Sequence, residues 1–242
     1  MARLKLQLLT WDVKDTLLRL RVSVGQSYAG HAQAYGLQVS AETVDRAFRK
    51  AYGAQSQHFP NYGLKSGLTS QRWWMEVVSE TFRLSGLQDE VLLRPLVEKL
   101  YWDYSTGHNW ELLPGARETL EGCRALGIPM GVVSNFDRRL PDLLSQCDLR
   151  EHFQFILTSE EAGFAKPDRR IFLEALRIAG VAPNLAAHVG DDYENDYVAS
   201  RAVGMHGILL KAPEQPGKGE AEVPRAHLLP SLPHLLSLVE QG

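Results

Sequence analysis

Five short apolar runs, each ending abruptly in polar residues, do most to limit what this chain can fold into. They are "LQLLTWD" at 6–12, "IPMGVVSN" at 128–135, "FQFILTS" at 153–159, "AAHVGDD" at 186–192 and "MHGILLK" at 205–211. Runs of this length, bounded by turn residues, read as buried strands. Around the last four lie segments 115–126, 138–148, 169–180 and 195–203, whose apolar residues recur at spacings of three and four. Ala116, Leu120, Cys123 and Leu126 mark the inward face of the first, and Gly127 and Gly180 stand where helices end. Strand and helix alternate, which predicts a parallel sheet covered by helices on both faces.

Residues 22–110 break that alternation. They hold helical patterns at 24–35, 40–52, 69–84 and 88–105 and no convincing strand, with Gly36 closing the first pattern, Ser40 capping the second, and Thr69 or Ser70 opening the third. The chain is therefore an α/β protein with a Rossmann-like core over 1–21 and 111–242 and an inserted helical domain over 22–110. Within the insertion, Trp73 and Trp74 are adjacent on one helix and point about 100° apart, so one belongs in the core. The "HFPNYGLKSG" loop, His58 to Gly67, carries His58, Asn61, Tyr62 and Lys65 as candidate specificity residues. The segment after Lys211, "APEQPGKGEAEVP", reads as an exposed loop before a last helix around 230–240.

Composition narrows the function classes. The formal charge of −3 supplies no basic face for nucleic acid, and no run approaches the roughly 18 apolar residues of a membrane helix. Cys123 and Cys147 are the only cysteines and lack metal-type spacing, which argues against zinc or a disulfide framework and suits a reducing, intracellular compartment, most simply the cytoplasm. The Leu4, Leu6, Leu8 alternation reads as a strand that a cleavable presequence would remove, so none is expected. Oligomeric state is not legible.

In an open parallel sheet the ligand site lies beyond the carboxyl ends of the strands, where strand order reverses. The residues ending these runs should converge there: Asp12, Ser134 with Asn135, and Asp191 with Asp192, joined by Lys166 from "GFAKPD". Singly, each has a plainer explanation as a strand end, turn or helix cap. Together they form a phosphoryl-transfer set: a carboxylate able to attack phosphorus, Ser134 and Lys166 to hold anionic oxygens, and acids suited to magnesium. His188, inside an apolar strand, reads as a satisfied core histidine. No Gly-x-Gly-x-x-Gly follows the first strand, which leaves a nucleotide-dependent oxidoreductase without support.

The same residues, in the same order, resemble the motifs of the haloacid dehalogenase superfamily of hydrolases. Asp12-Val13-Lys14-Asp15-Thr16 stands at the first motif, Ser134 at the second, Lys166-Pro167-Asp168 at the third, and Gly190-Asp191 with Asp196 at the fourth. The resemblance implies a cap at 22–110, a mobile flap after Thr16, and a magnesium-dependent phosphomonoesterase with Asp12 as nucleophile. It also implies Asp12, Lys14 and Lys166 as the catalytic set, Ser134, Asn135 and Lys166 as phosphate-binding groups, Asp12, Asp191 and Asp196 around magnesium, and a small phosphorylated molecule as substrate. Lys14 departs from the pattern, because the family's phosphatases carry there the acid that protonates the leaving group and then activates water. Asp15 does not repair this, since one residue's shift redirects the side chain. Three readings follow: a phosphatase impaired or specialised by Lys14, a non-enzymatic descendant keeping the phosphate pocket for binding or regulation, and a metal-independent dehalogenase, ranked last because Asp191 and Asp196 look like a metal site. An inward Lys14 ammonium would displace or repel magnesium.

Overall fold

A computed structural model describes residues 3–211 and 223–242. The expected loop after Lys211 falls almost wholly outside the described residues. Ten strands are described: β1 (Leu4–Leu6), β2 (Leu8–Trp11), β3 (Leu18–Leu20), β4 (Trp110–Leu112), β5 (Met130–Ser134), β6 (Phe155–Thr158), β7 (Ala186–Gly190), β8 (His206–Leu210), β9 (Leu228–Leu229) and β10 (Val239–Gln241). Six of them form one wholly parallel sheet in the order β6-β5-β2-β7-β8-β9. Every residue of β2, β5 and β7 is buried, as both-face coverage requires. From β2 the chain builds outward through β5 and β6, then returns to the other side of β2 for β7, β8 and β9. The reversal lies at β2, and Asp12 follows its last residue.

The helices are α1 (Val24–Ala34), α2 (Ala41–His58), α3 (Ser70–Leu84), α4 (Glu90–Asp103), α5 (Ala116–Ala125), α6 (Leu140–Gln146), α7 (Ser159–Ala162), α8 (Arg170–Ala179) and α9 (Ala199–Arg201). Two compact units result. One comprises Met1–Arg19, Leu112–Phe136 and Leu144–Gly242; the other comprises Leu20–Glu111 and Asp137–Leu143. In the first, Ile171, Phe172, Ala175 and Leu176 of α8 pack on Leu8, Val133, Leu157 and Ala186 of the sheet. In the second, Tyr28, Ala32, Val44, Val78, Phe82, Leu96 and Leu100 of α1 to α4 share one core. Asp137–Leu143 joins it because Trp74 Nε1 donates to Asp137 Oδ2 at 2.8 Å while the Arg139 guanidinium donates to the Tyr101 carbonyl and lies over the Tyr101 ring. Trp73 is the buried tryptophan of the pair, its Nε1 donating to the Phe59 carbonyl at 2.9 Å.

Four of the expected elements take another form, and β3, β4 and β9 are not among those expected, β4 beginning at Trp110 in the segment read as free of strands. The run at 6–12 breaks at Gln7 into β1 and β2, and β1 pairs with β10 in a separate two-stranded sheet, Leu4 opposite Val239. The segment at 230–240 is therefore not a helix: a 3₁₀ turn at Leu232–Ser237 leads into that strand. Helix α2 continues past 52 to His58, because Gly53 faces open space and Gln55 donates to Glu76 of α3 at 2.8 Å. The helix expected at 195–203 begins as a π turn at Tyr193–Val198 and becomes α-helical only at α9.

Candidate active site

Asp12, 7 % exposed, lies beyond β2 and is held from the neighbouring strand ends. Its Oδ1 accepts from Ser134 Oγ at 2.9 Å and from Lys166 Nζ at 2.7 Å, and Thr16 Oγ1 stands 3.5 Å from Oδ2. Lys166 Nζ places its two other bonds on Asp196 Oδ1 at 2.6 Å and the Val133 carbonyl at 3.0 Å. Asn135, expected to face phosphate, uses both ends of its amide on the Lys166 backbone: Oδ1 accepts from Lys166 N at 2.7 Å and Nδ2 donates to the Lys166 carbonyl at 2.9 Å. The lysine loop is thereby fixed to the end of β5, and Asn135 reaches Asp12 only through Lys166.

The fourth motif is shaped by Gly190 and Asp192. A Cβ at Gly190 would meet Asp196 Cγ at 2.2 Å, so glycine leaves the space that the carboxylate fills. Asp192 Oδ1 accepts from Glu194 N at 2.9 Å and Asn195 N at 2.7 Å, opening the π turn that carries Asp196 inward, and Asp192 N donates to Asp196 Oδ2 at 3.0 Å. Asp191 accepts from Thr16 Oγ1 at 3.0 Å. Carboxylate oxygens of Asp12, Asp191 and Asp196 all lie within 4.8 Å of one another.

Burial pushes Asp12 upward, with Lys166 opposing and Asp196 reinforcing the change. Asp191 is raised to about 7 by burial and by the charges of Asp12 and Asp196. Burial alone would raise Asp196, but Lys166 and His188 hold it well below the usual carboxylate range. Lys166 is pulled down by burial and carried above its ordinary value by the Asp12 and Asp196 charges, so it stays an ammonium. Three carboxylates thus face one buried cation. An oxygen-rich, net negative cluster of this kind fits a divalent ion such as magnesium, which Asp12, Asp191 and Asp196 could hold.

Lys14 makes no hydrogen bond to the acids of this cluster. Its Nζ pairs with Asp15, both side chains about half exposed, and Asp15 takes a left-handed backbone with φ 62°. Burial works against the Lys14 charge, but the bond and charge of Asp15, then Asp191 and Asp12, outweigh it and raise its pKa. The first partner is Asp15, not the buried acids. His188 is wholly buried, yet its Nε2 lies 3.1 Å from Asp196 Oδ1 and its Nδ1 2.9 Å from Thr10 Oγ1. Burial lowers its pKa, with Asp196 opposing. The bridging by Thr16 and the contact to Asp196 from His188 were not readable along the chain. The only signal for His188 was a polar residue two positions before the Gly190 turn.

A family model described as haloacid dehalogenase-like hydrolase matches residues 6–204, most of the chain. The chain belongs to the haloacid dehalogenase-like hydrolase family. Within this family it is 54 % identical over 240 residues to haloacid dehalogenase-like hydrolase domain-containing protein 3 of Bos taurus, covering 98 % of this chain and 95 % of the relative. Among solved structures it resembles a dehalogenase with an intermediate complex, at TM-score 0.75 and 22 % identity with both chains fully covered. It also resembles a HAD phosphatase from Thermococcus onnurineus, at TM-score 0.66 and 21 % identity, covering 98 % of this chain and all of the other. At such identities the two structures show the haloacid dehalogenase-like fold alone.

Proposed function

We propose that this hydrolase is a magnesium-dependent phosphomonoester phosphatase acting on a small phosphorylated molecule through an aspartyl phosphate on Asp12. The observation that carries the proposal is the setting of Asp12: a buried carboxylate bonded at once by Ser134 and Lys166 and grouped with Asp191 and Asp196. An Asp12 oxygen attacks phosphorus, the ester P–O bond breaks, and the leaving oxygen takes a proton. Water then attacks the acyl phosphate, releasing inorganic phosphate and restoring the carboxylate. Ser134 and Lys166, the two groups bonded to Asp12, would turn to the phosphoryl oxygens, and Asn135 holds Lys166 in place. Magnesium, when bound by Asp12, Asp191 and Asp196, supplies positive charge against the phosphoryl group.

Lys14 divides the two half-reactions. A Lys14 ammonium can give a proton to the leaving group, but the amine so formed regains a proton from solvent at neutral pH and is again charged, so it is no base for the attacking water. Losing a positioned acid or base costs about 100- to 10,000-fold in rate, so hydrolysis of the intermediate is the slow step. A second reading, a protein that binds phosphate without turnover, is favoured by the Lys14–Asp15 pair, which leaves no free carboxylate at the acid/base position.

The test is a phosphomonoester panel with magnesium, comparing native protein, Lys14→Asp and Asp12→Asn. Slow native turnover, faster in Lys14→Asp and absent in Asp12→Asn, supports the phosphatase. Silence of all three, with phosphate binding retained, supports the second reading.

A further inference from the structure

The wholly buried His188 is a titratable group beside the site that the proposed chemistry leaves unused. It lies on β7 directly opposite Thr10 of β2, two residues before Gly190 as Thr10 is two before Asp12. Its ring is fixed on both sides. Phe172 meets it edge to face with centroids 4.9 Å apart, and Thr10 Oγ1, which donates to the Ala187 carbonyl at 3.2 Å, lies 2.9 Å from Nδ1. Nε2 faces Asp196 Oδ1 at 3.1 Å.

An ionised carboxylate has only acceptors to offer, so the hydrogen of that contact must reside on Nε2. Asp196 is then held by three donors from three directions: Lys166 Nζ, His188 Nε2 and Asp192 N. The absent side chain of Gly190 leaves the volume in which it sits. Lys166 is shared, because its ammonium also bonds Asp12 and the Val133 carbonyl. His188 adds a rigid donor whose direction the sheet and Phe172 set.

We propose that His188 is a positioning residue: its Nε2–H holds the Asp196 carboxylate in the orientation that pairs with Lys166 and presents an oxygen to magnesium. This rests on the reading of Asp12, Asp191 and Asp196 as a magnesium site. Groups that donate to metal-holding side chains typically change affinity 10- to 100-fold when removed. His188 is expected at the lower end, because two other donors remain on Asp196.

The probe is magnesium alone, titrated calorimetrically into the native protein, His188→Leu, His188→Gln and Asp196→Asn. The expected result is magnesium binding by the native protein, about tenfold weaker binding in His188→Leu, near-native binding in His188→Gln, whose amide N–H can replace Nε2–H, and loss in Asp196→Asn. Native-like affinity in His188→Leu would overturn the role of His188 while leaving the metal site standing. No magnesium binding by the native protein would overturn the metal reading and this inference with it. Nitrogen-15 NMR of the native protein needs no variant and stands whether or not His188→Leu folds. A proton on Nε2, with a signal that moves on adding magnesium, is expected; an unprotonated Nε2 would overturn the proposal.

Discussion

At the scale of single residues, charge balance around Asp12 sets both stability and chemistry. Lys166 is almost fully buried between Asp12 and Asp196, so Lys166→Met leaves two uncompensated carboxylates inside the protein. Breaking a buried pair in this way costs about 3–5 kcal/mol, and urea denaturation should show a loss of that order. An unchanged midpoint would mean that the lysine is not the cation that balances the pair. Asp12, Ser134, Lys166 and Asp191 could be grouped from the sequence because strand ends in a parallel sheet must meet where strand order reverses, whatever the register of individual side chains, whereas Asp196 entered only through the family resemblance. What Asn135, Lys14 and His188 do was not legible. Each depends on which neighbour a side chain reaches: Asn135 turns to the Lys166 backbone, Lys14 to Asp15 and His188 to Asp196. Such directions follow from tertiary placement, which spacing along the chain does not encode.

At the scale of elements, helix starts are set by caps that the sequence shows and by cross-helix contacts that it does not. Ser23 caps α1 in a reciprocal box with Gln26, but Asp45 of α2 also accepts from Gly25 N and Ser23 Oγ, both at 2.7 Å. A Cβ at Gly25 would lie 2.1 Å from the Ala41 carbonyl and 2.5 Å from Asp45 Cγ. Gly25→Ala therefore has to part α1 from the start of α2, at a cost of about 1–3 kcal/mol measured by chemical denaturation. A neutral effect would show that the two helices separate easily there. The four helices of the insertion were readable because their apolar spacing and capping residues agree. The last segment was not, because Val239–Gln241 is extended only by pairing with Leu4–Leu6 at the far end of the chain, a long-range partner that outweighs local pattern.

At the scale of the whole molecule, the acidic cluster ties stability to pH and, on the proposed function, to divalent ions. Asp191 is held at about 7 against an ordinary 3.8, so between those values the folded protein keeps a proton that the unfolded chain has released. Stability in chelator must then fall as pH rises through that window and level off above about pH 7. The raised Asp12 acts in the same direction, whereas the depressed Asp196 contributes stability that is lost only at acid pH, below the ordinary carboxylate range. Melting temperatures from about pH 5 to about pH 8 should fall more steeply for the native protein than for Asp191→Asn, and magnesium should restore stability at the upper end. Parallel curves for the two proteins would remove Asp191 from that account. The central claim, that Asp12 carries the phosphoryl group and Lys14 delays its release, is tested most directly by acid-quenching the protein with magnesium and a reactive phosphomonoester, then mapping modification by mass spectrometry. The account predicts phosphate on Asp12 that accumulates in the native protein, falls in Lys14→Asp and is absent in Asp12→Asn. Product formed with no phosphate ever found on Asp12, or turnover surviving Asp12→Asn, would contradict it.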